Sequence, residues 1–157
     1  MRDKDLYAQI LGIQAPWLVR EVALNLNEGE VVVHVHHDPQ VSLTCPKCGS
    51  DVPGYDTRER RWRHLDTCQY RTILAADVPR CSCSEHGVHQ ITVPWGEAGS
   101  RFTAMFEAVV IDWLRETSIS AVGRNLGLSW GQLDGIMQRA VKRGLDRREA
   151  TLPSHLV

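Results

Sequence analysis

Two short motifs, each closed by a glycine, constrain this chain more than any other feature of its sequence. The first is Cys45-Pro46-Lys47-Cys48-Gly49 and the second is Cys83-Ser84-Glu85-His86-Gly87. In each motif two residues separate two metal-binding side chains, so a turn brings both donors to one point, and the glycine lets the backbone fold back. Three thiolates and one imidazole suit tetrahedral Zn²⁺. The spacing predicts a structural zinc site with four ligands: Cys45, Cys48, Cys83 and His86.

The cysteine count supports metal binding over disulfides. The chain has five cysteines, an odd number, and no apolar export signal follows Met1. Cys81 lies two residues before Cys83 and would point the same way on a strand, so it is an alternative ligand in place of Cys83 or His86. The 34 residues between Cys48 and Cys83 exceed the roughly 12–20 of compact fingers, so we expect a folded hairpin between them.

Residues 1–95 are predicted to be a small β-rich, zinc-ribbon-like module. Alternating apolar residues before and after the turn at Asn27–Glu30 predict one hairpin. A second strand pair is predicted for Arg60–Asp66 and Arg71–Val78. A small sheet buries little apolar surface, so we expect the metal to supply part of the folding energy.

Beyond Trp95 the hydrophobic pattern becomes helical, which makes the predicted fold class α+β. Ser100 is the predicted N-cap of a first helix. Its inner face is Phe102, Met105, Phe106, Val109, Val110, Trp113 and Leu114. A second helix follows Ser118 and ends at Gly127, and a third begins with a capping box of Ser129 and Gln132 and frays near Gly144. The inner face of the third helix is Leu133, Ile136, Met137, Ala140 and Val141. Residues 100–148 are thus predicted to form a three-helix bundle of the helix-turn-helix type, with 149–157 as a tail.

A short helix, a glycine-containing turn and a longer helix are typical of DNA-binding domains. The face of the third helix away from the core carries Gly131, Gly135, Gln138, Arg139 and Lys142. Gln and Arg side chains pair with adenine and guanine, and Lys neutralises phosphates. Arg124 on the second helix is a candidate clamp on the DNA backbone.

Charge is distributed unevenly along the chain. Residues 101–157 carry 8 Lys and Arg against 6 Asp and Glu, whereas residues 1–53 carry 4 against 7. The excess indicates that the C-terminal third is the partner of a polyanion, although a plain helical bundle with a solvated basic face remains the alternative. The arginines of Arg58–Arg63, interleaved with Trp62, are a further candidate for phosphate contacts or an ordinary solvated strand.

A catalytic group and a membrane span are both disfavoured. His64, Asp66 and Cys68 alternate and would share one strand face, which suggests a hydrolase site, but a polar strand face is the favoured interpretation. The longest apolar runs, such as Ala108–Ile111, are far shorter than the ~18 residues of a membrane helix. We therefore expect a cytoplasmic, nucleoid-associated protein that has no membrane partner.

Several stretches together resemble the N-terminal region of bacterial insertion-sequence transposases of the ISL-three family. They are the two glycine-closed motifs, Trp62–Asp66, Val93–Trp95 with Gly99–Thr103, and Ser118–Val122 with Leu126–Trp130. The resemblance extends from Leu6 to Arg148. It implies a zinc-binding module and a helix-turn-helix domain that bind the terminal inverted repeats of the element, followed by an RNase-H-like domain with an Asp-Asp-Glu triad.

Carried onto this chain, the resemblance makes the four predicted donors the zinc ligands and Ser129–Arg143 the recognition helix. The predicted DNA-binding residues are Arg124, Ser129, Gln132, Gln138, Arg139, Lys142 and Arg143. The first catalytic aspartate would lie beyond Val157, so we expect a truncated transposase that binds double-stranded DNA and is no enzyme on its own. Further expected partners are a second copy or a full-length transposase. The alternatives are a protein-interaction or dimerisation module, with Trp113, Trp130 and the Phe102 helix as its surface, or a zinc-containing transcriptional regulator.

Overall fold

A computed structural model of the chain describes residues 1–151 and confirms the mixed α+β class. In chain order its elements are α1 (Asp3–Leu11), β1 (Trp17–Asn25), β2 (Glu30–His37), β3 (Leu43–Thr44), β4 (Asp51–Val52), β5 (Gly54–Thr67), β6 (Tyr70–Cys83), β7 (Gly87–Gln90), α2 (Ala104–Glu116), α3 (Ile119–Leu126) and α4 (Trp130–Thr151). The chain divides into two compact units between Phe106 and Glu107. The described part thus holds four helices, of which α1 belongs to the first unit.

The first unit is built on a sheet with strand order β1-β2-β6-β5, and β7 also pairs with β6. Strands β1 and β2 form an antiparallel hairpin, and β5 and β6 form a second one with 14 residues in each strand. Both predicted hairpins are therefore confirmed, and the second is the folded insertion between Cys48 and Cys83. The hairpins join through a parallel pairing of β2 with β6, from Glu30 and Arg71 to His36 and Asp77.

The hydrophobic core of this sheet is larger than expected for a small zinc ribbon. Val33, Val35 and Leu74 on the central strands are fully buried. Around them three indoles pack edge to face, with ring centroids 4.8 Å apart for Trp17 and Trp95 and 5.3 Å for Trp62 and Trp95. Aromatic rings bury large apolar areas. The expectation of a sheet with little buried surface is therefore wrong, because the two long hairpins supply a core beside the metal-binding motifs.

Helix α2 begins later than predicted. Ser100 does not cap it, because the Ser100 hydroxyl bonds to the backbone N–H and C=O of Phe102, both at 3.1 Å. Phe102 lies outside the helix and forms a parallel β-bridge with Arg63. The cap is Thr103, whose Oγ1 accepts the backbone N–H of Phe106 at 3.2 Å. Hydrogen bonding to the edge of β5 thus takes the place of the predicted first helical turn.

The second unit contains α3, α4 and most of α2. Helix α3 follows Ser118 and ends at Gly127 in the left-handed conformation, as predicted, and the Ser118 side chain caps it by accepting the backbone N–H of Ala121. Helix α4 runs to Thr151, past the predicted fraying point at Gly144, so residues 149–151 of the predicted tail are helical. Residues 152–157 lie outside the described part. The predicted inner face of α4 is one turn too long, because Val141 is 62% exposed.

Candidate metal centre and nucleic-acid interface

The four predicted metal ligands lie together at one end of the sheet. Their donor atoms are all within 4.8 Å of one another. The Sγ atoms of Cys48 and Cys83 are 3.8 Å apart, and His86 Nδ1 lies 3.5 Å from Cys83 Sγ and 3.8 Å from Cys45 Sγ. A tetrahedral zinc with Zn–S of about 2.3 Å and Zn–N of about 2.0 Å requires donor separations of about 3.5–3.8 Å. The types of donor and these three separations therefore fit zinc.

The first pair of donors is held by a tight turn between β3 and β4. The Cys45 backbone N–H donates to Ser50 O at 2.9 Å, and the Gly49 N–H donates back to Cys45 O at 2.8 Å. Gly49 has φ = 72°, a conformation that favours glycine. These bonds close the loop and turn Cys45 and Cys48 toward the same point.

The second pair of donors sits at the turn between β6 and β7. Cys83 is the last residue of β6 and pairs with Gly87, whose φ of 76° lets the chain reverse direction. The His89 ring donates from Nε2 to the backbone carbonyl of His86, which holds the turn that carries the imidazole. The long β5–β6 hairpin thus spans the sequence between the two donor pairs.

The surroundings of Cys48 and Cys83 shift the pKa values of the two thiols in opposite directions. The side chain and backbone of Ser50 donate to Cys48 and lower its pKa to about 6. The backbone N–H groups of Glu85 and His86 favour a Cys83 thiolate, but burial and the neighbouring cysteine sulfurs outweigh them and raise its pKa. Of these two thiols, Cys48 therefore ionises at the lower pH, and zinc has to displace a proton from Cys83 as it binds.

The remaining cysteines lie outside this cluster. Cys81, the alternative ligand, is fully buried in the hydrophobic core and faces Gly54 and His89 across its neighbouring strands. Cys68 is exposed at the tip of the β5–β6 hairpin with φ = 55°. In residues 1–151 the four predicted ligands are the only group of three or more His, Cys, Asp and Glu side chains whose donor atoms converge on one point.

The three residues of the hydrolase hypothesis do not converge. The register of β5 against β6 shifts between His64 and Thr67, which breaks the strand alternation on which the hypothesis depended. His64 is buried, and its Nδ1 lies 2.8 Å from Thr103 Oγ1. Asp66 instead forms an ion pair with Arg63 at 3.5 Å. No shared site connects these side chains to Cys68.

The turn between α3 and α4 has the geometry that the sequence suggested. It spans 127–129, and Ser129 and Gln132 form a reciprocal capping box. Ser129 Oγ accepts the Gln132 N–H at 3.2 Å, and Gln132 Oε1 accepts the Ser129 N–H at 2.9 Å. Ser129 and Gln132, which were both predicted to contact DNA, therefore stabilise the first turn of α4.

Three further predicted DNA residues of α4 already have intramolecular partners. Glu107 on α2 is 2% exposed, and its carboxylate receives Arg139 at 2.7 Å and Arg143 at 3.4 Å. Gln138 donates to Asp134 one turn earlier at 2.8 Å. The arginines therefore join α4 to α2, and a buried acid that the sequence analysis did not consider is their common partner.

Glu107 had a detectable signal in the sequence. It lies three residues before Val110 and one after Phe106, on the apolar face of α2, where an acid needs a cation. Arg139 and Arg143 are spaced four residues apart on α4, so both lie on one side of the helix and either can pair with the acid.

Lys142 and Arg124 are exposed residues that point away from the core. Within the described residues no hydrogen bond or ion pair engages either side chain, so both cations are available to an anionic partner. The arginines of β5 differ, because Arg60 bonds to Gln90 and Arg61 to Glu30.

Gly123 on α3 is a second residue that the sequence analysis missed. A Cβ at this position would lie 3.0 Å from Leu128 O and 3.3 Å from Leu133 Cδ1. Glycine is a poor helix former, so its place in the middle of an eight-residue helix was the available signal. It allows the turn and α4 to pack tightly against α3.

The surface proposed for protein interaction is only partly exposed. Trp130 is 66% exposed and Trp113 is 42% exposed, but Phe102 is buried. In residues 1–151 no helix has the length and hydropathy needed to cross a membrane.

Comparison with protein families gives two matches, one over the metal-binding strands and one over the C-terminal helices. Residues 42–86 match the zinc-finger of transposase IS204/IS1001/IS1096/IS1165. Residues 91–141 match the helix-turn-helix domain of transposase family ISL3. The first range contains all four metal ligands, and the second contains α2, α3 and the first half of α4. No curated protein and no solved structure matches the chain.

Proposed function

The chain belongs to the ISL3 family of transposases, with its zinc finger and its helix-turn-helix domain, and from that premise we propose that it recognises the terminal inverted repeats of an insertion sequence as duplex DNA. The observation that carries this proposal is the family match over 91–141, which coincides with the capped α3–turn–α4 arrangement. Such a protein acts on chromosomal DNA in the cytoplasm, at the nucleoid.

The metal in this proposal is a structural Zn²⁺. Zinc, when bound, supplies a fixed tetrahedral link, and Cys45, Cys48, Cys83 and His86 are the residues that would hold it. Through these four ligands the bound ion would join the β3–β4 turn to the β6–β7 turn at this end of the sheet. No bond-breaking step is assigned to it.

Helix α4 is the proposed reader of the DNA sequence. Its exposed residues are candidates for two kinds of contact: Gln138 for a base edge, and Lys142 with Arg124 for phosphates. Arg139 and Arg143 keep the helix on Glu107 in the free protein, so base contacts from Arg139 would compete with that ion pair. Ser129 and Gln132 contribute by fixing the first turn that enters the groove.

DNA cutting is not assigned to the described residues. The matched regions are a zinc finger and a helix-turn-helix domain. We propose that they bind the ends of the element, and that strand transfer is the task of a catalytic domain of the Asp-Asp-Glu type.

Selection of bound sequences from a random duplex pool, with and without a chelator, tests the proposal directly. We expect one motif to be enriched, and its recovery to fall when zinc is removed. Lys142→Ala should weaken binding to the motif and to random duplex equally and lower the salt slope by about one unit, because a phosphate contact carries no sequence information. Lys4→Ala on α1 is the matched control and should leave both unchanged. Recovery of unselected sequences only would contradict the proposal.

A further inference from the structure

The second half of α4 carries an apolar face with no partner in the described part of the chain. From Val141 to Thr151 no residue is buried, and Val141 and Leu145 are 62% and 52% exposed. Together with Met137 they border a surface groove of about 560 Å³. Arg143 is joined to Glu107 on another side of the helix, but three turns of helix that bury no apolar side chain are marginally stable in water, so a partner for this face is expected on physical grounds.

The residues of this face are arranged in a symmetric order. At 100° per residue, five side chains fall within an arc of about 80° along one side of the helix. In chain order they are an acid, three apolar residues and a base, which we call the α4 stripe: Asp134, Met137, Val141, Leu145 and Arg148.

The order of charges identifies the occupant. If a second copy of α4 lies antiparallel with Val141 opposite Val141, then Met137 faces Leu145 and Asp134 faces Arg148, each twice because of the two-fold axis. In a parallel pair the carboxylates would face each other, and so would the guanidinium groups, which is unfavourable. An isologous contact of this kind is the commonest form of protein dimer.

We propose that the α4 stripe is a homodimer contact in which two copies of this chain pair antiparallel through the C-terminal halves of α4. Val141 lies at the two-fold axis, and two Asp134–Arg148 ion pairs close the ends. The surface differs from the Trp113 and Trp130 surface considered above. Gln138 and Lys142 line the same groove, so the dimer contact would compete with DNA for these two side chains. The inference itself does not rest on DNA binding, because the dimer is tested without DNA.

Charge reversal provides a direct test, because Asp134 and Arg148 are about 21 Å apart along one helix and cannot interact within a single copy. Sedimentation equilibrium of the zinc-loaded full chain without DNA should show a concentration-dependent rise from 17.7 kDa toward twice that mass. Asp134→Arg and Arg148→Asp should each weaken the dimer roughly tenfold, and the double variant should restore it to within about threefold. Arg147→Asp, which at 100° per residue lies about 120° around α4 from Val141 and does not line the groove, is the matched control.

Two further variants separate the contact from folding of the helix. Val141→Lys should abolish the dimer while the circular dichroism of the helices is retained, whereas Leu26→Lys, an exposed apolar site of the first unit, should leave the dimer unchanged. The proposal is overturned if the chain stays monomeric up to its solubility limit. It is also overturned if the double charge reversal is as weak as the sum of its single variants. DNA binding by a monomer would leave the proposed function standing while this inference fails.

Discussion

The two units of this protein tie distant segments together by different means. In the first unit a cluster of three thiols and an imidazole sits at the corner of a sheet that has its own core of indoles and aliphatic side chains. In the second, fewer apolar residues are buried, and a single carboxylate, Glu107, joins α2 to two arginines of α4. In the first unit the metal-binding cluster is therefore added to an existing hydrophobic core. In the second unit the Glu107 ion pairs are themselves a main contact between helices. Removing each centre should reveal this difference.

Loss of the metal is expected to have the largest effect on the first unit. Cys48→Ser should reduce bound zinc from one ion per chain to none and should free the β3–β4 and β6–β7 turns. Structural zinc contributes about 10 kcal/mol or more in small fingers, but here the sheet core should persist. Metal analysis and amide NMR spectra measure the two effects. Cys68→Ser, at an exposed thiol, is the control and should keep the zinc. Global unfolding of the variant would show that the metal is needed for the core as well.

The metal site and the hairpins were accessible from the sequence for a physical reason. Zinc accepts few donor types, and a spacing of two residues within each pair makes the donors converge whatever the rest of the chain does. Alternation likewise reports which residues of a strand share a face. Neither pattern encodes which strand lies beside which, so the parallel β2–β6 pairing and the size of the core were not predictable.

The helical unit was predicted less completely because helical periodicity does not reveal which polar residues are buried. The inner face of α2 was identified from its apolar residues alone, and Glu107 was overlooked although it lies on that face. Arg139 was assigned to DNA because it lay opposite the expected core. A long side chain can reach back to an acid, and periodicity carries no information about that.

Removal of the Glu107 charge is the second test of the comparison. Glu107→Gln keeps the shape of the side chain but removes the negative charge that Arg139 and Arg143 contact. Breaking a fully buried pair costs about 3–5 kcal/mol, and we expect about 2–3 kcal/mol here because both arginines reach water. Urea unfolding followed by helical circular dichroism measures the loss, and Glu149→Gln on the exposed end of α4 should stay within about 0.5 kcal/mol of the parent. An equal effect of the two variants would mean that apolar packing alone holds α4.

Close packing of α3 against the turn is the third point of difference between the units. Gly123→Val should destabilise the protein by about 1–3 kcal/mol, because its Cβ would press on Leu128 O and Leu133. A Cβ at Gly131 on α4 would meet no atom within 4 Å, so Gly131→Val reports mainly the effect of helix propensity. Thermal unfolding of both variants gives the comparison. If Gly123→Val is no less stable than Gly131→Val, the close approach of α3 to the turn is not required.

Titration of a single buried histidine should produce the smallest effect, and it belongs to the first unit. Burial lowers the pKa of His64, whose ring contacts Thr103, the cap of α2. Since the folded pKa lies below the unfolded value of about 6.5, the unfolded chain takes up the proton first as the pH falls. This contribution to stability is therefore complete above pH 6.5 and is lost progressively below it.

His64→Asn removes the titrating group while keeping a polar atom near Nδ1, so it should flatten the dependence of unfolding free energy on pH below about 6.5. Urea unfolding at several pH values gives the slope, and zinc content measured in the same samples separates this effect from protonation of the metal ligands. If parent and variant lose stability in parallel while zinc stays bound, His64 is not the group responsible. The contact between β5 and the start of α2 would then be insensitive to pH, and acid sensitivity of the first unit would have to arise at groups other than His64 and the metal ligands.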